Sequence, residues 1–122
     1  MTDNQAQVKV ILHPPYLVKK GEIKMPAYAK ADVYVGEKKV KNLTLSTTTS
    51  ARKVLNVELF QLRALSRQRQ VPCRIDIAIQ ERFIGLEYQK IKAKNERQPV
   101  DITYMFPHKF DWHDYCLYHH QR

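Results

Sequence analysis

Glycine is scarce in this chain, with three residues (Gly21, Gly36 and Gly85) in 122. Phosphate-cradling loops of the Walker or dinucleotide-binding type need several glycines within a few positions, so neither type exists here. A Gly-x-Ser-x-Gly nucleophile elbow is absent too. Cysteine is as thin: Cys73 and Cys116 are the only two, and reduced thiols in a cytoplasmic protein are the expectation. His113, Cys116 and His119 recur at intervals of three, but a structural zinc site takes four ligands. A thiol nucleophile at Cys116 would need an orienting partner at a recognisable spacing, which the sequence does not supply. With Trp112, Tyr115 and Tyr118 interleaved, this tail reads as a packing segment, and neither an enzyme nor a metal site is expected. No stretch approaches the roughly 18–20 apolar residues needed to span a bilayer, and no signal peptide is expected after Met1. Acidic residues are the minority, 12 against 21 Lys and Arg, for a net charge of +9. That balance attracts polyanionic or phosphate-bearing partners and says nothing about fold.

What is present is short β-type alternation. Val8 to Leu12 reads as a strand stopped by Pro14-Pro15. Ala27 to Val35 and Val40 to Ser46 read as an antiparallel pair, turning at Gly36-Glu37-Lys38, where glycine tolerates positive φ. Val54, Val57, Leu59 and Leu62 suggest a further strand, with a charged bend over Arg63 to Gln70. Val71, Cys73, Ile75, Ile77 and Ile79 share one face of another, with Arg74, Asp76 and Gln80 on the opposite face. Phe83 to Tyr88 continues the theme, with Gly85 as a bulge or close-approach point. From Asn95, a capping residue, a helix is expected to carry Val100, Tyr104 and Met105 inward and to end at Pro107. A second short helix or turn is expected from Asp111. A chain of 122 residues with this pattern is one domain, an α+β fold that is mainly β, its short strands suggesting a small antiparallel barrel or sandwich.

The cations fall in clusters: Lys19, Lys20 and Lys24; Lys38, Lys39 and Lys41; Arg52 and Lys53; and Arg63, Arg67 and Arg69. The hydroxyl run Ser46-Thr47-Thr48-Thr49-Ser50, ahead of Arg52, reads as a polar loop able to offer donors to an anion. Tyr16, Tyr28 and Tyr34 are candidate stacking platforms for a single-stranded nucleic acid, although they sit in no recognisable RNA-recognition signature.

Several of these stretches, taken together, resemble PilZ domains, small β-barrel receptors for cyclic di-GMP. Lys20-Gly21-Glu22-Ile23-Lys24 stands where the family has an Arg-x-x-x-Arg pair. Asn42-Leu43-Thr44-Leu45-Ser46-Thr47 stands where it has Asp/Asn-x-Ser-x-x-Gly. Phe83-Ile84-Gly85-Leu86-Glu87-Tyr88 is similar to the family's late strand. Met105-Phe106 followed by Trp112 is similar to the end of the PilZ unit in bacterial cellulose synthases. The resemblance covers roughly residues 17–116. It implies a small antiparallel barrel with a C-terminal helical segment over 17–116, after a partly ordered extension (1–16) and before a tail (117–122).

The resemblance also implies a regulatory module in cyclic di-GMP signalling, with Lys20, Lys24, Asn42 and Thr44 at the ligand; composition, not the resemblance, offers Arg52, Arg63, Arg67 or Arg69 as a substitute guanidinium. Lysine in place of arginine keeps the Coulomb attraction but loses the bidentate fork. Thr47 in place of glycine implies backbone strain at that point of the motif. Such a module binds the dinucleotide weakly or acts through a protein partner. Two other readings stand beside it: a basic β-barrel binding single-stranded nucleic acid, and a structural subunit of a larger complex.

Overall fold

The computed structural model describes residues 6–18, 27–84 and 98–111. Five strands, β1 (Val8–Leu12), β2 (Ala29–Val35), β3 (Lys38–Leu45), β4 (Cys73–Ile79) and β5 (Val100–Asp101), form one sheet in the order β3-β2-β4-β1-β5. One helix, α1 (Thr48–Arg69), covers one face of it. The α+β, mainly β reading of the sequence therefore holds. Among the described residues the sheet is open, with β3 and β5 as its edges, and the closed barrel is not seen there. Nor is the pairing wholly antiparallel: β1 runs parallel to β4, with Val8 beside Cys73 and Leu12 beside Ile77.

The reason lies in the segment read as a strand and a bend. Residues 48–69 are helical, and the helix carries the chain from β3 across to β4, so that both flank β2 antiparallel to it. A long crossover of this kind joins strands that point the same way and shields one face of the sheet. Val54, Val57, Leu59 and Leu62 suggested period 2. The buried set is Ala51, Leu55, Glu58, Leu59, Leu62 and Ser66, spaced at three and four, which is one stripe of a helix. Val57 is 52% exposed and Phe60 72%, on the outer surface of α1.

The hydroxyl run starts the helix. Thr47 is the N-cap, with an extended backbone, and its side chain accepts a hydrogen bond from Ser50 N at 3.0 Å. The strain expected of Thr47 is absent. Gln70 ends the helix in a left-handed conformation at φ 57°, donating its N–H to Ser66 O, and Arg67 and Arg69 in the last turn suit the helix dipole.

The β2–β3 hairpin turns where expected, at Gly36-Glu37, with Gly36 at φ 64°. A Cβ there would meet Val71 at an ordinary 3.5 Å, so the backbone angle rather than space is what calls for glycine. A bulge between Val33 and Tyr34 leaves Val40 as the extra residue of β3. β4 alternates as read, with Cys73, Ile75, Ile77 and Ile79 buried, while Gln80, expected outward, is 5% exposed. Val10 and Leu12 on β1, Ala31 and Val33 on β2, and Leu45 on β3 join those residues against Ala51, Leu55, Leu59 and Leu62 of α1. Residues 8–12, placed by the sequence reading in an N-terminal extension, are thus an inner strand.

Residues 98–111 form no regular α-helix. Val100 and Asp101 pair with Leu12 and Ile11, and Thr103–Met105 make a single 3₁₀ turn. Pro99 and Pro107 bracket the segment and withhold two backbone donors. It runs as a strap from the sheet edge back to α1. Ile102, Phe106 and Phe110 are at most 1% exposed, with the Phe106 and Phe110 rings 4.7 Å apart. Arg63 fastens the strap by donating from Nη1 to His108 O and from Nη2 to Phe106 O, both at 2.7 Å. Asn56 Oδ1 accepts from Phe110 N. Phe83, expected in a strand, closes a 3₁₀ turn (Glu81–Phe83) and packs on Tyr28. The remainder of that expected strand, Gly85 to Tyr88, the helix start at Asn95, and the expected turn after Asp111 lie outside the described residues.

Candidate functional site on the open sheet face

Alternation along β2 and β4 sends apolar side chains toward α1 and polar ones to the other face. β2 contributes Lys30, Asp32 and Tyr34; β4 contributes Arg74, Asp76 and Ala78. The antiparallel register sets Tyr34 opposite Arg74, Asp32 opposite Asp76 and Lys30 opposite Ala78. β1 adds Lys9 beside Arg74, and His13 follows the end of β1. Tyr16 is held at the margin, its N–H donating to Ile79 O at 3.3 Å and its hydroxyl to Ala27 O at 2.7 Å. His13, Tyr16, Lys30, Asp32, Tyr34, Asp76 and Ala78 together line a cleft of about 320 Å³.

The electrostatics of the cleft are ordered around Asp76. Arg74 Nε donates to its Oδ1 at 2.6 Å, and His13 Nε2 lies 3.0 Å from its Oδ2. The hydrogen bond to Asp76 is the main reason that Arg74 holds its proton more tightly than usual. The same guanidinium stacks over the Tyr34 ring, 4.1 Å from its centre, and Lys30 Nζ sits 4.8 Å from the centre of Tyr16. Burial pushes the Tyr16 hydroxyl above its ordinary pKa, so it stays a neutral donor. Asp32 meets Lys39 Nζ at 3.8 Å. Two aromatic rings, each with a cation on it, and two carboxylates thus share one concave surface.

The residues expected from sequence divide around this surface. Asn42 and Thr44 lie on edge strand β3, opposite Asp32 and Lys30, and share the open face. Arg52 is exposed on α1, in the layer covering the other face, and is not brought to the cleft. Lys20 and Lys24 lie outside the described residues. His13, Lys30, Asp32, Arg74 and Asp76 were not among the expected site residues. Their signal was parity: charged and aromatic residues hold one phase on β2 and on β4, but only the register between the strands puts those phases on one face.

Among the described residues no group of three or more His, Cys, Asp or Glu side chains is placed to hold a metal ion. None of their helices is long and apolar enough to cross a membrane. Comparison of the chain with family models, curated proteins and solved structures gave no match.

Proposed function

We propose that the protein is a non-enzymatic binding module whose open sheet face takes a nucleotide ligand, and that the ligand is single-stranded nucleic acid. The observation that carries this reading is the pairing of Tyr34 with Arg74 and of Tyr16 with Lys30 around one cleft. Bases stack on aromatic rings and on guanidinium planes, while neighbouring cations take the phosphates. Lys9, exposed beside Arg74, and the net charge of +9 extend the attraction beyond the cleft. Cyclic di-GMP is the second reading, favoured by Asn42 and Thr44 standing on the same face next to Asp32 and Lys30.

Fluorescence anisotropy with a labelled single-stranded oligonucleotide, titrated at several salt concentrations, tests the first reading. Affinity should fall steeply as salt rises, because bound counterions are released from the phosphates. Tyr34→Ala should weaken binding by about 5- to 150-fold, the equivalent of one stacked base. Absence of binding at low salt would remove the nucleic-acid reading. Calorimetry with cyclic di-GMP decides the second: no heat at high micromolar protein removes it.

A further inference from the structure

We infer that the cleft selects guanine and that Asp32 is the residue that reads the base; this rests on the nucleotide-binding reading above. The two carboxylates of the cleft face each other across neighbouring strands, a like-charge pairing that is destabilising unless compensated. Compensation is uneven. The Asp76 side chain is 11% exposed and is neutralised by Arg74, whose Nε donates to Oδ1 at 2.6 Å, while His13 Nε2 stands 3.0 Å from Oδ2. The Asp32 side chain is 40% exposed, and its cation, Lys39, stands at 3.8 Å. That separation is beyond hydrogen-bond length. A carboxylate paired with Lys39 but with both oxygens open to a hydrogen-bond donor therefore lines the cleft between Lys30 and Tyr34.

The chemistry of that group decides which base it favours. An ionised carboxylate only accepts hydrogen bonds, through two oxygens held side by side. Guanine alone presents two adjacent donors, N1–H and the N2 amino group, on its Watson–Crick edge. Adenine and cytosine set one amino donor next to an acceptor ring nitrogen, which the second oxygen would repel. Uracil and thymine place one imino donor between two carbonyls. Only guanine can thus make a charge-assisted pair with both oxygens. Asn42, directly across from Asp32 on β3, offers an amide donor beside it for a base carbonyl. Tyr34, two residues along the same strand face, supplies the stacking surface.

The test compares labelled single-stranded DNA repeats of equal length, GT, CT and AC, by anisotropy on the full chain. A two-bond base contact is worth about 5- to 150-fold in affinity, so the GT repeat should bind tighter by a factor in that range. Asp32→Asn replaces one acceptor oxygen by a donor. It should bring GT down to the level of the others and leave CT and AC within about twofold, which also shows that the variant is folded. Equal affinity for the three repeats overturns the guanine assignment while leaving the nucleic-acid site standing. Retention of the GT preference in Asp32→Asn overturns the role given to Asp32. Failure of every repeat to bind overturns both the assignment and the site on which it rests.

Discussion

Replacing Arg63 by alanine should release the strap from α1. The guanidinium donates two hydrogen bonds, to the carbonyls of Phe106 and His108, from the two ends of its rigid planar fork. Burial, followed by the charge of Arg67, pulls the Arg63 pKa down from its ordinary value; a guanidinium is not deprotonated in proteins, so the donor is charged. A hydrogen bond from a charged group contributes roughly 1.5–3 kcal/mol net. The bond to Phe106 O is partly buried and takes the full range, whereas that to His108 O is exposed and is worth little. The expected loss is about 2–3 kcal/mol, which for a domain of this size is a fall in Tm of roughly 8–12 °C. Arg63→Lys should recover part of it, since an ammonium keeps the charge and its donors but not the planar fork that fits two carbonyls. Thermal unfolding followed by circular dichroism measures the fall, and hydrogen exchange locates it. The amides of Ile102, Met105 and Phe106, which donate to Val10 O, Ile102 O and Thr103 O, should exchange faster than those of β4. If Arg63→Ala melts within about 1–2 °C of the parent, or the lysine variant matches the parent, the fork does not hold the strap.

Two further predictions concern a turn and an acid. Gly36→Ala should destabilise by about 1–2 kcal/mol, the cost of a left-handed backbone for a residue with a Cβ. Gly36 has positive φ while the space for a methyl is ample, so a denaturation midpoint unchanged from the parent would show that the turn relaxes freely. Asp101 is a case of opposing causes: burial raises its pKa, but the hydroxyl and N–H of Thr103, at 2.5 and 2.9 Å, and the charge of Lys9 outweigh it, leaving the carboxyl below its ordinary value. Its contribution is therefore complete above the ordinary carboxylate pKa of about 3.9 and is lost as pH falls through the lower folded value. Thr103→Val removes the hydroxyl bond to Asp101 and also the one accepted from Val10 N. The stability gap between variant and parent should hold at neutral pH and narrow as pH falls below about 3.9, and a gap that stays constant in urea titrations on both sides of that pH would sink the assignment.

Local chemistry was legible in the sequence where a single strand or turn decided it. Val8 to Leu12, the Gly36 turn and the Cys73–Ile79 alternation all fold as their patterns imply. The helix was obscured because its buried stripe includes Ala51, Glu58 and Ser66, which do not announce an apolar face, while the exposed Val57 does. Glu58 is tolerated there because Lys41 Nζ reaches it at 3.0 Å, and Ser66 because its hydroxyl bonds both backbone groups of Gln7. Neither partnership can be read from spacing. The strap was obscured for a different reason. Val100, Tyr104 and Met105 fit a helical stripe, but the segment gains more by pairing with β1 and sending Ile102, Phe106 and Phe110 into the core. In the candidate site, Asn42 and Thr44 lie on the face where the ligand is proposed. Asp32 and Asp76 could be brought together only by a register that crosses the whole of α1.

The parallel pairing of β1 with β4 bears on how the chain assembles. The hairpin, α1 and β4 form a consecutive unit that can close on itself, whereas β1 must wait for a partner on the far side of all three. Contacts of such long sequence separation form late and slow folding. Until β1 is seated, β4 is an edge whose unpaired backbone groups are open to any other extended chain. The short β5, which pairs only with β1, cannot dock before it. A β4 edge left without β1 is thus a route by which this protein could misassemble.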